Sequence, residues 1–316
     1  MYIKDQPFDD IIYHAKALDF WEQEYNQLSE LVFQSRLQDL SFYGLRIFRE
    51  QMNCRVAQRT KTPPNTINIL IPIHLIPEKS HLPTHTLCSD GATLLPSKHE
   101  FFFCTPPNTD YIVISLDQSI LEKRLIHQDM EKILKKRFGC GIIWNAHISK
   151  QLSEKCISLL NQYTIINTLP VLQIQQYIQD EIIDLVLYYF ECDEDILTTK
   201  DLGSNHHHIV QYVYERVIES DQNLTILELC QELQIPHRSL HYAFEKTTGM
   251  SPNKYIRAIR LNAADRLIHQ QKSKSLITEL AYQYGFSHSS HFGREYKKLF
   301  GRTPSTINSL ANDFAA

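Results

Sequence analysis

The feature that most constrains this chain is an internal repeat in its last third. Glu228-Leu229-Cys230 lines up with Glu279-Leu280-Ala281, and Ile235 with Phe286, at an offset of 51. Leu240, Phe244, Gly249 and Pro252 line up with Phe292, Tyr296, Gly301 and Pro304 at an offset of 52, so one residue is added between the two sets of anchors. Self-similarity over such a span marks one structural unit used twice. Each copy reads as helix, turn, helix. In the first, Ile226, Leu229, Cys230 and Leu233 form one face, Pro236 suits a helix start, and Leu240, Ala243 and Phe244 are inward before Gly249 ends the helix. In the second, Ile277, Leu280, Ala281 and Tyr284 form the face. Gly285-Phe286 makes the turn with Ser287 as N-cap, and Phe292, Tyr296, Leu299 and Phe300 are inward before Gly301. Between the copies, Pro252–His269 reads as one long helix, with Tyr255 and Ile259 inward and Lys254, Arg257, Arg260 and Arg266 outward.

Charge singles out the same region. The whole chain is −4, which argues against a general polyanion binder, yet His237–Arg302 holds 12 Lys+Arg against 4 acids, a local +8. A basic segment on an acidic protein is a footprint for phosphates, the other reading being a solvated surface. A rigid helix holding two reading helices apart suits DNA, whose successive major grooves on one face lie about 34 Å apart. The outward residues of the two second helices supply the chemistry. Arg can bond guanine O6 and N7 with two donors, and Ser and His reach base edges or phosphates. Those outward residues are His237, Arg238, His241, Tyr242 and Glu245 on the first helix, and His288, Ser289, Ser290, His291, Arg294, Lys297 and Lys298 on the other. His237, His288, Lys297, Lys298 and Arg302 are the expected phosphate contacts, which position without specifying sequence.

The front of the chain reads differently. From about Leu28 to Leu116, period-two alternation such as Ile67, Ile69, Ile71 and Ile73 is broken by turn signals such as Pro63-Pro64-Asn65 and Pro106-Pro107-Asn108. Phe101-Phe102-Phe103-Cys104 and Tyr111–Leu116 are short apolar runs. The pattern suggests a small barrel or sandwich. Phe8–Trp21 reads as a short helix, and Ser119–Arg137, Ser149–Thr164 and Val171–Phe190 as amphipathic helices. In the last, Ile174, Ile178, Leu185 and Tyr189 form a stripe that is either core against its own sheet or a dimer or interdomain contact. The expected architecture is therefore α+β: residues 1–192 a β-rich domain with helices after about 117, 193–204 a linker, and 205–316 an all-α domain. Inward aromatics such as Phe42, Phe48 and Phe102 are ligand-pocket candidates, although each also suits an ordinary core.

The segment Ile256-Arg257-Ala258-Ile259-Arg260-Leu261-Asn262-Ala263-Ala264 resembles the linker helix of the AraC/XylS transcription regulators. Ile277–Ala281 followed by Tyr284–Pro304 resembles the signature of that family closely, over roughly residues 206–312. The resemblance implies two helix-turn-helix units joined by a long helix, in a bacterial, cytoplasmic regulator, an activator. Carried over by position, it implies Arg238, His241 and Tyr242 in the first unit, and Ser289, Ser290 and Arg294 in the second, as the base readers. It implies double-stranded DNA and RNA polymerase as partners and allows a small-molecule effector and a homodimer. Leu40–Glu50, with Gln58-Arg59 and Pro63-Pro64, is weakly similar to the ethanolamine-utilisation regulators, a resemblance that implies a cupin-like effector or dimerisation domain for residues 1–192.

No catalytic motif, cofactor fingerprint or metal set is expected to be used, so the chain is not read as an enzyme. Phosphate loops, nucleophile elbows, H-E-x-x-H pairs and dinucleotide fingerprints are missing, and the seven cysteines are odd in number without a C-x-x-C. The N-terminal stretch Met1–Pro7 lacks an apolar signal region and no run of about 18 apolar residues occurs, so neither secretion nor a membrane span is expected. The competing reading is a cupin-like small-molecule or metal-dependent enzyme with a helical assembly domain, its metal held by His81, His85 and Cys88.

Overall fold

Residues that alternate along one strand into two different cores organise the whole molecule. The computed structural model describes residues 2–42, 44–74, 91–95, 97–98, 100–124, 141–144, 146–166, 168, 170–191, 205–219, 224–270 and 277–306. The strands are β1 (Tyr2–Phe8), β2 (Glu22–Gln27), β3 (Ser35–Phe42), β4 (Leu45–Met52), β5 (Val56–Lys61), β6 (Thr66–His74), β7 (Gly91–Leu95), β8 (Glu100–Thr105), β9 (Thr109–Asp117) and β10 (Gly141–Trp144). They form a larger sheet in the order β1-β3-β4-β9-β6-β7-β10 and a smaller one, β2-β5-β8. The helices are α1 (Ile11–Ala17), α2 (Gln118–Arg124), α3 (Ala146–Ile166), α4 (Leu172–Glu191), α5 (Asn205–Glu219), α6 (Ile226–Glu232), α7 (His237–Thr248), α8 (Pro252–Gln270), α9 (Ile277–Gln283) and α10 (Ser289–Phe300). The α+β expectation holds, with β structure in front and helices behind.

Three apolar cores separate the layers. Phe48, Met52, Leu70, Tyr111 and Val113 of the larger sheet meet Tyr25, Val56, Phe101 and Phe103 of the smaller one. The opposite face of the larger sheet, with Ile47, Ile69, Ile112 and Ile114, packs under α3 and α4. The opposite face of the smaller sheet, with Ala57, Phe102 and Cys104, packs into the all-α region. This explains the run at 101–104: Phe101 and Phe103 point one way, Phe102 and Cys104 the other, and both sides are buried. Full burial of such side chains is worth roughly 1.5–3 kcal/mol each.

Several expectations need revision. The edge strands β1 and β10 and the polar strand β2 lack an alternating apolar face and were not foreseen. On α4 the buried stripe includes Ile178, Ile182, Ile183 and Val186, whereas Ile174 is 47 % exposed. The helix expected after Ser119 is described only to Arg124. The group His81, His85 and Cys88 and the linker 193–204 lie outside the described residues. Among the described residues, no helix is long and apolar enough to cross a membrane.

Candidate nucleic-acid interface

The repeat is a repeat of backbone geometry. Gln234, with φ 54°, and Gly285, with φ 79°, occupy equivalent turn positions in the left-handed region. The next amide closes each turn, Ile235 N–H donating to Cys230 O at 3.0 Å and Phe286 N–H to Ala281 O at 2.8 Å. Both second helices end on a left-handed glycine, Gly249 and Gly301, whose N–H donates back to Glu245 O and Lys297 O. Each conformation suits glycine; Gln234 adopts it with a side chain. The first unit also has a capping box, Thr225 Oγ1 accepting from Glu228 N–H while the Glu228 carboxylate accepts from Thr225 N–H. The residue added in the second copy is Ser287, so the N-cap of α10 is His288, one position later than expected, and His288 makes no side-chain cap bond.

Both second helices bury one side and expose the other. Leu240, Ala243 and Phe244, like Phe292, Tyr296 and Phe300, are inward. Taking the caps Pro236 and His288 as equivalent, Arg238 corresponds to Ser290, His241 to Gly293, and Tyr242 to Arg294. His237, Arg238, Tyr242, Ser290, Arg294 and Lys297 are exposed, and His241 and Ser289 are half-buried. The His237 and His241 rings lie 4.5 Å apart, and Tyr242 meets the His206 ring edge-on at 5.1 Å. Among the described residues, Arg238 and Arg294 have no ion-pair or hydrogen-bond partner. A Cβ on Gly293 would meet nothing within 4 Å, so that glycine leaves open space on the outward face of α10.

Other basic residues in this stretch are already engaged. Arg302 Nη1 lies 2.7 Å from Asp10 Oδ2 and its Nη2 3.2 Å from Asp265 Oδ2. Asp265 also accepts from the Tyr296 hydroxyl, and His269 Nε2 lies 3.0 Å from Asp10 Oδ2. Burial opposes the charge on Asp10, but His269 and Arg302 together hold its carboxyl well below the usual range. Burial likewise opposes the charge on His269, and the hydrogen bond that its ring donates to Asp10, with the charges of Asp265 and Asp10, overcomes it, raising the imidazole. Burial raises the Asp265 carboxyl against the pull of Arg302 and His269. Arg266, expected to face outward, pairs with Glu24 at 2.9 Å, and Lys298 with Glu30 at 2.9 Å. These contacts tie α8 and α10 to the front of the chain. Asp10, Asp265 and His269 have metal-ligand spacing, but Arg302 already supplies the cation between the two carboxylates, and the set does not fit a metal.

The three candidate pocket phenylalanines do not share a site. Phe42 lies in the core under α3 and α4, Phe48 between the sheets, and Phe102 against the all-α region. The polar centre between the sheets is instead Glu50, 1 % exposed. Its carboxylate accepts from Tyr25 Oη at 2.9 Å and from the Tyr111 hydroxyl, and His14 Nε2 lies 2.7 Å away. Burial, first of all, raises both tyrosine hydroxyls well above their ordinary range. Nearby Trp21 Nε1, Gln23 Oε1, Gln58 Nε2 and Thr60 Oγ1 are buried with no hydrogen-bond partner among the described residues. The sequence signal for this centre is the inward stripe Phe48, Glu50, Met52 on β4, where an acid replaces an apolar residue.

The paired helices, their shared turns and their exposed second helices define a protein of the helix-turn-helix class, and residues 229–309 match the family described as a helix-turn-helix domain. Through this region the chain belongs to the AraC/XylS family. It is 35 % identical over 83 residues to the HTH-type transcriptional activator RhaS of Pectobacterium atrosepticum, a stretch that is 26 % of this chain and 29 % of that one. It is 34 % identical over 103 residues to the XylDLEGF operon transcriptional activator 2 of Pseudomonas putida, covering 32 % and 64 % of the two chains. The chain thus spans less than two thirds of either relative. A probable AraC family transcriptional regulator from Rhodopseudomonas palustris is similar at 30 % identity over 33 % of this chain and 97 % of that one, with a TM-score of 0.31.

Proposed function

We propose that this chain is a sequence-specific DNA-binding transcription regulator, and an activator, working in the cytoplasm of a bacterium. Its two helix-turn-helix units place α7 and α10 in successive major grooves of double-stranded DNA. The observation that carries the reading is the pair of exposed arginines without a partner among the described residues, Arg238 and Arg294, one on each second helix of a repeated backbone unit. A guanidinium without a protein partner retains its full set of donors for guanine O6 and N7. His241, Tyr242, Ser289 and Ser290 complete the base-facing set, and His237, His288 and Lys297 face phosphates. Lys298 and Arg302 begin from ion pairs to Glu30, Asp10 and Asp265, so their use on phosphate requires exchanging partners.

A small-molecule effector is supported by the interior of the β domain. Four buried polar atoms lacking partners around the Glu50 centre leave hydrogen-bonding capacity that a compact polar molecule could take up, since buried polar groups are ordinarily satisfied. A homodimer is supported by exposed apolar residues on α3 and α4, among them Ile165, Leu172 and Ile174. RNA polymerase is the partner through which an activator acts. The enzyme reading has no support in the comparisons, which lead to regulators.

Capture of genomic DNA fragments by the purified chain, with Arg294→Ala alongside, tests the proposal. A shared motif of about 15–20 base pairs that weakens in the variant is expected. Diffuse, salt-labile binding identical in both proteins would overturn it.

A further inference from the structure

The left-handed glycines that end α7 and α10 are equivalent positions of the repeat, and one small part of the front domain touches both. At Gly249 an added Cβ would run into the Arg55 guanidinium, which donates to Thr248 O at the end of α7. At Gly301 an added Cβ would run into the Val32 side chain. Gln27 Nε2 donates to Leu299 O, near the end of α10, at 2.7 Å. Between them, Asn262 of α8 pairs with the Gln27 backbone in both directions, accepting from its N–H at 2.8 Å and donating to its O at 2.8 Å.

The touching residues are themselves held as a unit. Leu28 N–H donates to Arg55 O at 2.8 Å, and Arg55 N–H donates to Ser29 Oγ at 2.9 Å. Asn53 closes the other side, donating to Val32 O at 2.9 Å and accepting from Gln34 N–H at 2.8 Å. Helix C-terminal carbonyls lack intrahelical donors and carry the negative end of the helix dipole, so Arg55 and Gln27 meet groups that call for donors. Helices tied at their C-terminal ends to one braced loop cannot change separation or tilt independently at their N-terminal ends, which are the ends that read bases.

We propose that the Gln27–Val32 loop, braced by Arg55, is a spacing gauge: it positions α7 against α10 and so makes the protein discriminate DNA sites by the distance between their two recognition elements. The inference rests on the two-groove reading above and adds residues outside the DNA-binding domain to what determines specificity. Arg55, Gln27 and Val32 are positioning residues, acting through the helices. Without Arg55, α7 loses its side-chain tie to the loop that also holds α10, and a one-base-pair insertion, which moves the second element by about 3.4 Å and rotates it by about 35°, is accommodated more easily.

The test uses the full chain and a DNA site selected from a random-sequence library by that chain, then rebuilt with one base pair removed, or one or two added, between its two elements. The intact protein is expected to lose affinity about tenfold per added base pair, the scale of a lost base contact. Arg55→Ala is expected to bring that loss to about two- to threefold with base preferences inside each element unchanged, and Arg55→Lys, which still offers a donor to Thr248 O, to restore discrimination. The double change Glu30→Ala with Val32→Ala, at two exposed positions, provides a second route should Arg55→Ala fold poorly. Spacing discrimination equal to that of the intact protein in folded Arg55→Ala, or in the double variant, would overturn the gauge and leave DNA reading standing. An intact protein that selects no motif at all would overturn both.

Discussion

Arg238 and Arg294 stand on exposed helix faces and have no partner among the described residues, whereas Arg266 and Arg302, from the same basic stretch, are held by Glu24, Asp10 and Asp265. In the sequence these four look alike. In the fold they divide into the exposed face of α7 and α10, which is the proposed reading face, and a seam between the front of the chain and the helices. The lesson is about where positive charge is available. A net +8 between His237 and Arg302 overstates what DNA can meet, because part of it neutralises acids of the same chain. The reading face keeps its donors open at no cost to folding, and the seam uses its donors to fix one domain on the other.

The comparison is broken most severely by removing the seam's cation. Arg302→Ala leaves the buried Asp10 and Asp265 without a guanidinium and is expected to cost about 3–5 kcal/mol of stability, as truncation of one partner of a buried ion pair does. Chemical denaturation of the full chain reads it, and a loss below about 1 kcal/mol would place the pair with ordinary surface bridges. The opposite signature is expected on the reading face. Arg238→Ala and Arg294→Ala should each cost about 1–3 kcal/mol at a cognate base pair while leaving stability within about 0.5 kcal/mol. Titrations on matched and single-base-substituted sites, beside melting curves, separate the two.

A smaller effect distinguishes phosphate contacts from base contacts. Lys297→Ala should weaken binding to all sequences alike and reduce the slope of log affinity against log salt by about 0.9, one released counterion. A changed base preference with an unchanged slope would move Lys297 among the base readers. The smallest expected effect is the pH dependence of the seam. His269 is raised above its ordinary value, so its contribution is fully present below about pH 6.5 and is lost as pH rises through the raised value. Asp10 is lowered, so its contribution is present above the ordinary carboxylate range and is lost as pH falls. Stability should therefore decline as pH rises above about 6.5 and through the raised value, and His269→Asn should flatten that alkaline limb without altering base preference. An alkaline limb identical in the variant would remove His269 from the account.

The repeat, its turns and the inward faces of α7 and α10 were legible because local rules write them: apolar residues at helical spacing, a glycine where the backbone goes left-handed, a proline at a helix start. The exposed positions of α7 and α10 were legible for the same reason, since the outward side follows once the inward one is fixed. The seam was not, because its partners are joined only by folding: Asp10 and His269 lie 259 positions apart. The helix α8 illustrates the limit. Its buried residues lie on several faces, from Tyr255 and Ile259 on one side to Leu261 and Ala264 on another, because it is enclosed between the two helix pairs and β2, so amphipathic periodicity could not tell Arg266 from a solvent-facing residue. In the front domain, strands buried on both sides announced themselves as apolar runs, while β1, β2 and β10, at sheet edges and largely polar in the first two cases, carried no such pattern. Phe42, Phe48 and Phe102 were each correctly inward, but inward of three different layers, a distinction that depends on sheet packing.

The most direct test of the central claim is a positional one. On a site selected by the intact chain, every base pair is substituted in turn and affinity is measured for the intact protein, Arg238→Ala and Arg294→Ala. Two-groove reading predicts that each variant loses discrimination at one short cluster of positions, that the two clusters differ, and that they lie about 10 base pairs apart. Loss of discrimination at the same positions in both variants, or uniform weakening at every position in either, would contradict it.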